Sequence, residues 1–87
     1  MAYLIFIDPL PPDLTSAELR GLLEPFGGVV WARVVHDSVG KSLRFGRAEM
    51  QTAEAAQNVC KHLNRAVFRG ATLTVMREYG GGTDPAG

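Results

Sequence analysis

Two short hydrophobic segments, one in each half of the chain, constrain its fold more than any other feature. Residues 5–10 read Ile-Phe-Ile-Asp-Pro-Leu, and residues 43–50 read Leu-Arg-Phe-Gly-Arg-Ala-Glu-Met. Side chains of a β-strand alternate between the two faces of a sheet, so each segment would place one phenylalanine, Phe6 or Phe45, opposite its aliphatic residues. A solvated sheet face normally carries polar residues. Two aromatic rings on that face therefore predict a surface on which unpaired bases stack.

The alternation divides both segments into a core face and an open face. The core face holds Ile5, Ile7, Gly46, Ala48 and Met50. The open face holds Leu4, Phe6, Asp8, Leu43, Phe45, Arg47 and Glu49. A slip of one residue would bury Phe6 but would also expose Ile5 and Ile7, so we favour the open face for the ring.

The remaining segments predict the order strand, helix, strand, strand, helix, strand. We expect strands at 3–8, 29–36, 44–50 and 72–77. The first helix begins at Thr15, because Thr15 and Glu18 have the spacing of a capping box, and it ends at Gly27. Thr52 caps the second helix, which extends to about Leu63. The inward faces of the two helices are expected to hold Leu19, Leu22, Leu23, Phe26, Ala56, Val59, Cys60 and Leu63.

Both hydrophobic segments resemble the two ribonucleoprotein motifs of the RNA recognition motif family. The resemblance extends over residues 2–77 and includes the end of the first helix at 22–27, the loop at 37–42 and the last loop and strand at 63–75. With two right-handed crossovers, the order of elements gives an α+β fold, a βαββαβ ferredoxin-like sandwich. We expect a four-stranded antiparallel sheet backed by two helices, with the two motif strands adjacent at its centre.

The longer motif departs from the family pattern at positions that matter for binding. Phe6 and Phe45 occupy two of the three positions at which the family stacks bases, whereas Arg47 occupies the third. Leu43 and Arg44 stand where a basic residue and a glycine are usual. A guanidinium can stack on a base or contact a phosphate, so the resemblance still implies binding of single-stranded RNA.

Several side chains around the aromatic pair are further candidates for RNA contact. Matching the inward positions of the family's second strand places Trp31, Arg33 and Val35 on the open face, although Trp31 could equally be partly buried structure. Arg47 could contact RNA or pair with an acidic side chain across the sheet, which for this chain means Asp8 or Glu49. Tyr79 follows the last expected strand and either folds over the sheet or lies free of it. The candidate RNA-binding residues are Phe6, Phe45, Arg47, Trp31, Arg33, Lys41, Arg44 and Tyr79.

The charges of the chain balance overall but are segregated along it. Nine basic residues oppose nine acidic ones among the 87 residues. The segment with Arg33, Lys41, Arg44 and Arg47 is opposed by Asp37, whereas Asp13, Glu18 and Glu24 lie on or near the first helix. This distribution predicts a local positive field beside the aromatics, a modest affinity and no strong general attraction to duplex DNA.

The amino-acid composition argues against disulfides, metal sites and membrane segments. It has a single cysteine, so it cannot form an intramolecular disulfide, and no cluster of residues has metal-ligand spacing. We expect no cofactor, no metal and no membrane segment, and a soluble protein of the reducing cytoplasm, or of the nucleus in a eukaryote. Residues 1–79 are expected to form one domain, followed by a flexible glycine-rich tail at 80–87.

Two other classes of function compete with RNA binding. Family members that bind peptides through their helix side carry an Arg-x-Phe element before the last strand; this chain has one residue more between Arg65 and Phe68, and Glu18 and Glu24 only weakly match their acidic first helix. Protein binding through the helix face is therefore the alternative. An enzyme acting on phosphates would need an anion cradle after the first strand, but residues 8–12 are acidic and rich in proline, which lacks the N–H donor. We predict that the chain is not an enzyme.

Overall fold

A computed structural model describes residues 3–79, so the tail predicted at 80–87 lies outside the described residues. The elements in chain order are β1 (Tyr3–Asp8), α1 (Ser16–Leu23), a 3-10 turn (Glu24–Phe26), β2 (Val29–His36), β3 (Ser42–Met50), α2 (Ala53–Leu63), β4 (Val67–Phe68), β5 (Ala71–Thr72) and β6 (Thr74–Tyr79). Four strands form an antiparallel sheet in the order β2-β3-β1-β6. The expected α+β fold is confirmed, and the two motif strands, β1 and β3, are neighbours at the centre of the sheet.

Both helices begin at the capping threonines that the sequence predicts. Thr15 Oγ1 accepts a hydrogen bond of 3.0 Å from the Glu18 amide, and Glu18 Oε1 accepts one of 3.0 Å from the Thr15 amide. Thr52 Oγ1 accepts a hydrogen bond of 3.0 Å from the Ala55 amide. These bonds satisfy amide donors that have no partner within the first turn of a helix.

One hydrophobic core fills the space between the sheet and the helices. Its fully buried members include Ile5, Ile7, Leu19, Leu23, Ala48, Met50, Ala56, Val59 and Leu73. Leu22, Phe26 and Cys60, which were expected to share the inward helix faces, pack against this core but are only half-buried. The core faces of β1 and β3 are as predicted, so Phe6, Phe45, Arg47 and Glu49 lie on the opposite face. The pairing of β2 with β3 shifts between Val34 and His36, so the alternation is not continuous through Leu43.

The strand boundaries near the C-terminus differ from the prediction. The last strand begins at Thr74 rather than Thr72 and ends at Tyr79 rather than Arg77. Residues 71–72 instead pair with 67–68 in a small hairpin. Its two-residue turn has positive φ at Arg69 (50°) and Gly70 (81°), which is the backbone conformation that closes a tight hairpin. The third strand also starts earlier than expected, at Ser42 rather than Arg44.

A bulge in β2 determines which of its side chains reach the open face. The pairing of β2 with β3 shifts between Val29 and Trp31, so Val30 is an extra residue in the ladder. Val29 and Ala32, which are three residues apart, can therefore both pack against the core. After the bulge, the strand alternates regularly through Val34. The face assignment that the family resemblance implies for this strand is confirmed.

Candidate nucleic-acid interface

Phe6 on β1 and Phe45 on β3 form an aromatic pair on the face of the sheet that is turned away from the helices. Their ring centroids are 5.2 Å apart and their planes are tilted by 33°. Both side chains are half-buried, because each ring covers part of the other and of the strands below it. The accessible part of this pair is an apolar surface with exposed π faces, which is the chemistry that stacks on a nucleic-acid base.

A row of directly paired residues crosses the open face at the aromatic pair. Met76 of β6 lies opposite Phe6, Phe6 lies opposite Arg47, and Arg47 lies opposite Arg33 of β2. Arg47, which the family resemblance assigns to the third stacking position, therefore lies between Phe6 and a second arginine, Arg33. Met76 is 54% exposed and was not predicted to lie on this face, although its place directly after the inward-facing Val75 is a signal for it.

A shallow groove adjoins the pair on the β2 side. It has a volume of about 360 Å³ and is lined by Trp31, Arg33, Val35, Phe45 and Arg47. Four of these five residues are aromatic or positively charged. The groove can therefore hold a planar, negatively charged or carbonyl-rich group between rings and guanidinium donors.

Trp31 lies on the open face and is held there by two contacts. Its indole Nε1 donates a hydrogen bond of 3.0 Å to Glu49 Oε1 on β3. The guanidinium carbon of Arg33 lies 5.7 Å from the centre of the indole ring, within the range of a cation–π contact. The indole is half-buried. Trp31 is therefore packed against its neighbours and also accessible from the open face, so a structural role and an RNA contact are compatible.

Arg44 lies at the end of the sheet and not in the row of Phe6 and Arg47. It has a positive φ of 63°, a conformation that favours the glycine usual at this place. The Leu10 amide donates a hydrogen bond of 2.7 Å to the Arg44 carbonyl, and Arg44 Nε donates one of 3.2 Å to the Leu10 carbonyl. Arg44 therefore ties the start of β3 to the segment after β1, while its side chain remains exposed.

Lys41 and Tyr79 are the remaining candidates. Lys41 is exposed in the loop between β2 and β3, where its amide donates a hydrogen bond of 2.9 Å to Asp37 Oδ1. Tyr79 is the last residue of β6, paired along the backbone with Tyr3, so the prediction that it follows the last strand is wrong. The side chain of Tyr79 lies outside the described part of the structure.

The helix side of the molecule carries a separate set of contacts. Arg69 donates a hydrogen bond of 2.8 Å to Glu18 Oε2, and its guanidinium lies 5.1 Å from the centre of the Phe68 ring. This bond lowers the pKa of the Glu18 carboxyl, with the Thr15 amide contributing next. Phe26 and His62 stack with ring centroids 5.3 Å apart. Glu18, one of the two acids that weakly suggested a peptide-binding helix, is thus engaged within the chain.

A metal site, a membrane span and a reactive thiol each place requirements on the described residues. Among residues 3–79, no group of three or more His, Cys, Asp or Glu side chains is placed to hold a metal ion. No helix in this range is long and apolar enough to cross a membrane. Burial raises the pKa of the Cys60 thiol, which keeps the thiol protonated and weakly reactive at neutral pH.

The sequence matches a known family and is similar to known proteins. The family described as the RNA recognition motif matches residues 5–74. The Mus musculus protein named RNA-binding motif, single-stranded-interacting protein 2 is 35% identical over 60 residues, which cover 69% of this chain and 16% of the mouse protein. The chain therefore spans about a sixth of the length of this relative.

Two solved structures extend the similarity to the fold. The crystal structure of the RNA binding protein PG1 superposes with a TM-score of 0.84 at 31% identity, covering 87% of this chain and 93% of that one. The structure of the Sxl-lethal protein/RNA complex superposes with a TM-score of 0.85 at 25% identity, covering 95% of this chain and 50% of that one.

Proposed function

We propose that this chain, which belongs to the RNA recognition motif family, binds single-stranded RNA on the open face of its four-stranded sheet. One observation carries the proposal: Phe6 and Phe45 lie 5.2 Å apart on a solvated face, with Arg47 paired directly opposite Phe6. Two aromatic rings on a solvated sheet face are not required to fill the core. Stacking of an unpaired base on such a ring contributes about 1–3 kcal/mol to the binding free energy. The RNA in the solved complex and the name of the mouse relative support this function.

Each part of the surface has a distinct role in the proposed mechanism. Phe6 and Phe45 stack on bases of a strand that crosses the sheet, as aromatic residues of this family do with about two or three nucleotides. Arg33 donates hydrogen bonds to phosphates or to base carbonyls in the groove, and Arg47 either does the same or stacks on a base. Trp31 adds a further aromatic surface at the far side of that groove.

The remaining candidate residues extend the surface at its margins. Lys41 and Arg44 are exposed beyond the groove, and we propose that they contact the phosphate backbone as the strand leaves the sheet. Tyr79 is retained as a candidate contact at the end of β6. These residues would add affinity and salt dependence, but little selectivity for a particular base.

Selectivity for single strands follows from the chemistry of the surface. Stacking requires access to the face of a base, and paired bases in a duplex hide their faces. The chain has no net positive charge that would attract a duplex in a general way. We also propose that the chain binds RNA without catalytic activity. The alternative, protein binding through the helix face, gains no support from Glu18, because this carboxylate accepts a hydrogen bond from Arg69 within the chain.

An equilibrium titration tests the proposal. Fluorescently labelled single-stranded RNA pools would be titrated with the protein at about 50 and 200 mM salt, with single-stranded DNA and duplex RNA of the same length as controls. Saturable binding of single-stranded RNA with weaker binding of the duplex is expected. Equal binding of duplex and single strand, or none, would contradict the proposal.

A further inference from the structure

Glu49 is an acidic residue near the end of β3, on the face that we propose binds a polyanion. It lies on the open face of β3, opposite Trp31 on one side and Leu4 on the other. A carboxylate at this place repels phosphate, so a phosphate is disfavoured in direct contact with it. A base edge with hydrogen-bond donors is the part of RNA that a carboxylate attracts.

The position of Glu49 relative to the stacking residues defines which base it would meet. Arg47 and Glu49 are alternate residues of β3 and point to the same face. Arg47 stands at the place where this family stacks a base, with Phe6 directly opposite. A base lying over Arg47 therefore has Glu49 beside it along the strand.

One hydrogen bond orients the carboxylate of Glu49. The Trp31 indole donates to Glu49 Oε1 at 3.0 Å, and a carboxylate oxygen that accepts one bond retains a second lone pair. Glu49 is half-buried, so water competes less for its remaining lone pairs than at a fully exposed site. The guanidinium of Arg33, 5.7 Å from the indole centre, lies on the same side of the surface.

These groups are complementary to guanine. In a single strand the Watson–Crick edge of a base is free, and guanine presents two adjacent donors there, N1–H and the N2 amino group, which match the two oxygens of a carboxylate. Adenine and cytosine present one amino group next to a ring-nitrogen acceptor, and uracil presents one N–H between two carbonyls. Guanine O6 and N7 are also the acceptors that a guanidinium binds best, which suits the neighbouring Arg33.

We propose that Glu49 selects guanine at the base position over Arg47, by accepting hydrogen bonds from N1 and N2. Trp31 acts as a positioning residue, since its N–H orients the carboxylate. This inference rests on the proposed function, because it names the base that the RNA-binding face prefers.

The test uses short uridine-rich RNAs that carry one variable base: guanine, adenine, cytosine, uracil or hypoxanthine, the base of inosine. The unsubstituted protein is expected to bind the guanine RNA about tenfold more tightly than the adenine, cytosine and uracil RNAs. Inosine lacks only the N2 amino group, so it should bind about threefold more weakly than guanosine.

Two variants identify the residue responsible. Glu49→Gln keeps the size of the side chain but turns one acceptor into a donor, so the preference for guanine over inosine should disappear. Trp31→Phe keeps a ring but removes the N–H, and it should reduce the preference without abolishing it. Glu54→Gln, which removes the same charge from the exposed first turn of α2, is the matched control and should leave the ratio unchanged.

The outcomes separate this inference from the function on which it rests. Binding of all five RNAs with equal affinity, a preference for another base, or a guanine preference that survives Glu49→Gln would overturn the role of Glu49 and leave RNA binding intact. Absence of binding to any of the RNAs would overturn both. The inosine comparison is made on the unsubstituted protein, so it holds even where a variant folds poorly.

Discussion

Phe6 and Phe45 belong to different strands, yet their rings lie 5.2 Å apart at a tilt of 33° on the open face of the sheet. The core sides of the same strands are filled by Ile5, Ile7 and Ala48, which are fully buried. The two phenylalanines are therefore not needed to fill the core. Their arrangement leaves π surface accessible to a ligand, and the proposed function depends on that surface.

The first prediction concerns this pair. Phe6→Ala and Phe45→Ala should each weaken binding of single-stranded RNA by about 1–3 kcal/mol, because a stacking surface is lost. The thermal unfolding midpoint should change little, since the core is untouched. Fluorescence anisotropy and a thermal melt measure the two effects. Val67→Ala, which trims a side chain that is 72% exposed on the small hairpin, is the control and should leave affinity unchanged.

Unchanged RNA affinity in both phenylalanine variants would remove the stacking platform. A large loss of stability without loss of affinity would instead mean that the rings serve the fold.

Much of the fold could be predicted because local signals agree with one another. Thr15 and Glu18 have capping-box spacing and form both bonds, and the alternation around Phe6 and Phe45 assigns the two faces without tertiary information. The small hairpin was missed because its turn, Arg69-Gly70, lacks the Asn-Gly or Asp-Gly pair that usually marks positive φ at both positions. The single glycine and the flanking Val67 and Thr72 were the available signal.

The candidate site was predictable in its centre and less so at its margins. Strand period alone places Arg47 on the same face as Phe45, but it cannot reveal that Arg47 pairs with Phe6 or that a bulge at Val30 turns Trp31 to the open face. The family resemblance supplied that assignment. Glu49 was predicted to lie on the open face and to be a possible partner for Arg47, but its hydrogen bond to Trp31 could not be predicted because it joins residues that are distant in sequence. The bonds between Arg44 and Leu10 could not be foreseen for the same reason.

A second prediction separates charge from stacking at Arg47. The logarithm of affinity falls as the logarithm of salt concentration rises. If the guanidinium contacts a phosphate, Arg47→Ala should make this negative slope shallower by about 0.7, the value per phosphate contact for single strands. If it stacks on a base, Arg47→Phe should keep or raise the affinity. Lys61→Ala, which removes one positive charge from the last turn of α2, is the control for the slope. An Ala variant that matches the unsubstituted protein in both affinity and slope would exclude Arg47 from the interface.

The third prediction tests how closely α1 packs on the sheet. A Cβ atom at Gly46 would lie 2.7 Å from Leu19 Cδ2 and 3.0 Å from the Arg33 carbonyl oxygen, and the backbone oxygen cannot move aside easily. Gly46→Ala should therefore lower the free energy of unfolding by about 1–3 kcal/mol. Gly21→Ala is the matched control: it lies within α1 with no atom within 4 Å of the new methyl group.

Because alanine favours a helix more than glycine does, Gly21→Ala should raise the free energy of unfolding by about 0.5–1 kcal/mol. Urea denaturation measures both variants against the unsubstituted protein. Equal stability of the two variants would show that β3 and α1 are farther apart at Gly46 than the structure has them.

The fourth prediction is a pH dependence of stability that arises from Glu18. The hydrogen bond from Arg69 holds the pKa of this carboxyl below its ordinary value of 4.5. A group with a lowered pKa in the folded state stabilises the fold above its unfolded pKa and loses that contribution as the pH falls through the folded pKa. Glu18→Gln keeps a residue that can complete the capping box, so it removes mainly the charge.

The unsubstituted protein should therefore be more stable than Glu18→Gln at pH 7, and the difference should shrink as the pH falls below 4.5. Unfolding curves recorded across this range measure the difference. When both proteins also carry Arg69→Ala, the difference in stability that Glu18→Gln makes should depend less on pH. A difference that stays constant from neutral to acidic pH would contradict the assignment of the effect to this ion pair.

The most direct test of RNA binding on the open face is a titration of ¹⁵N-labelled protein with single-stranded RNA, followed by NMR. The chain has one tryptophan, so the indole N–H of Trp31 gives a single signal at the edge of the groove. We predict that this signal and the amide signals of Phe6, Phe45 and Arg47 shift progressively to saturation, while amides of the exposed faces of α1 and α2 do not. Shifts confined to the helices, with the Trp31 indole and the β1 and β3 amides unmoved, would contradict RNA binding on the sheet.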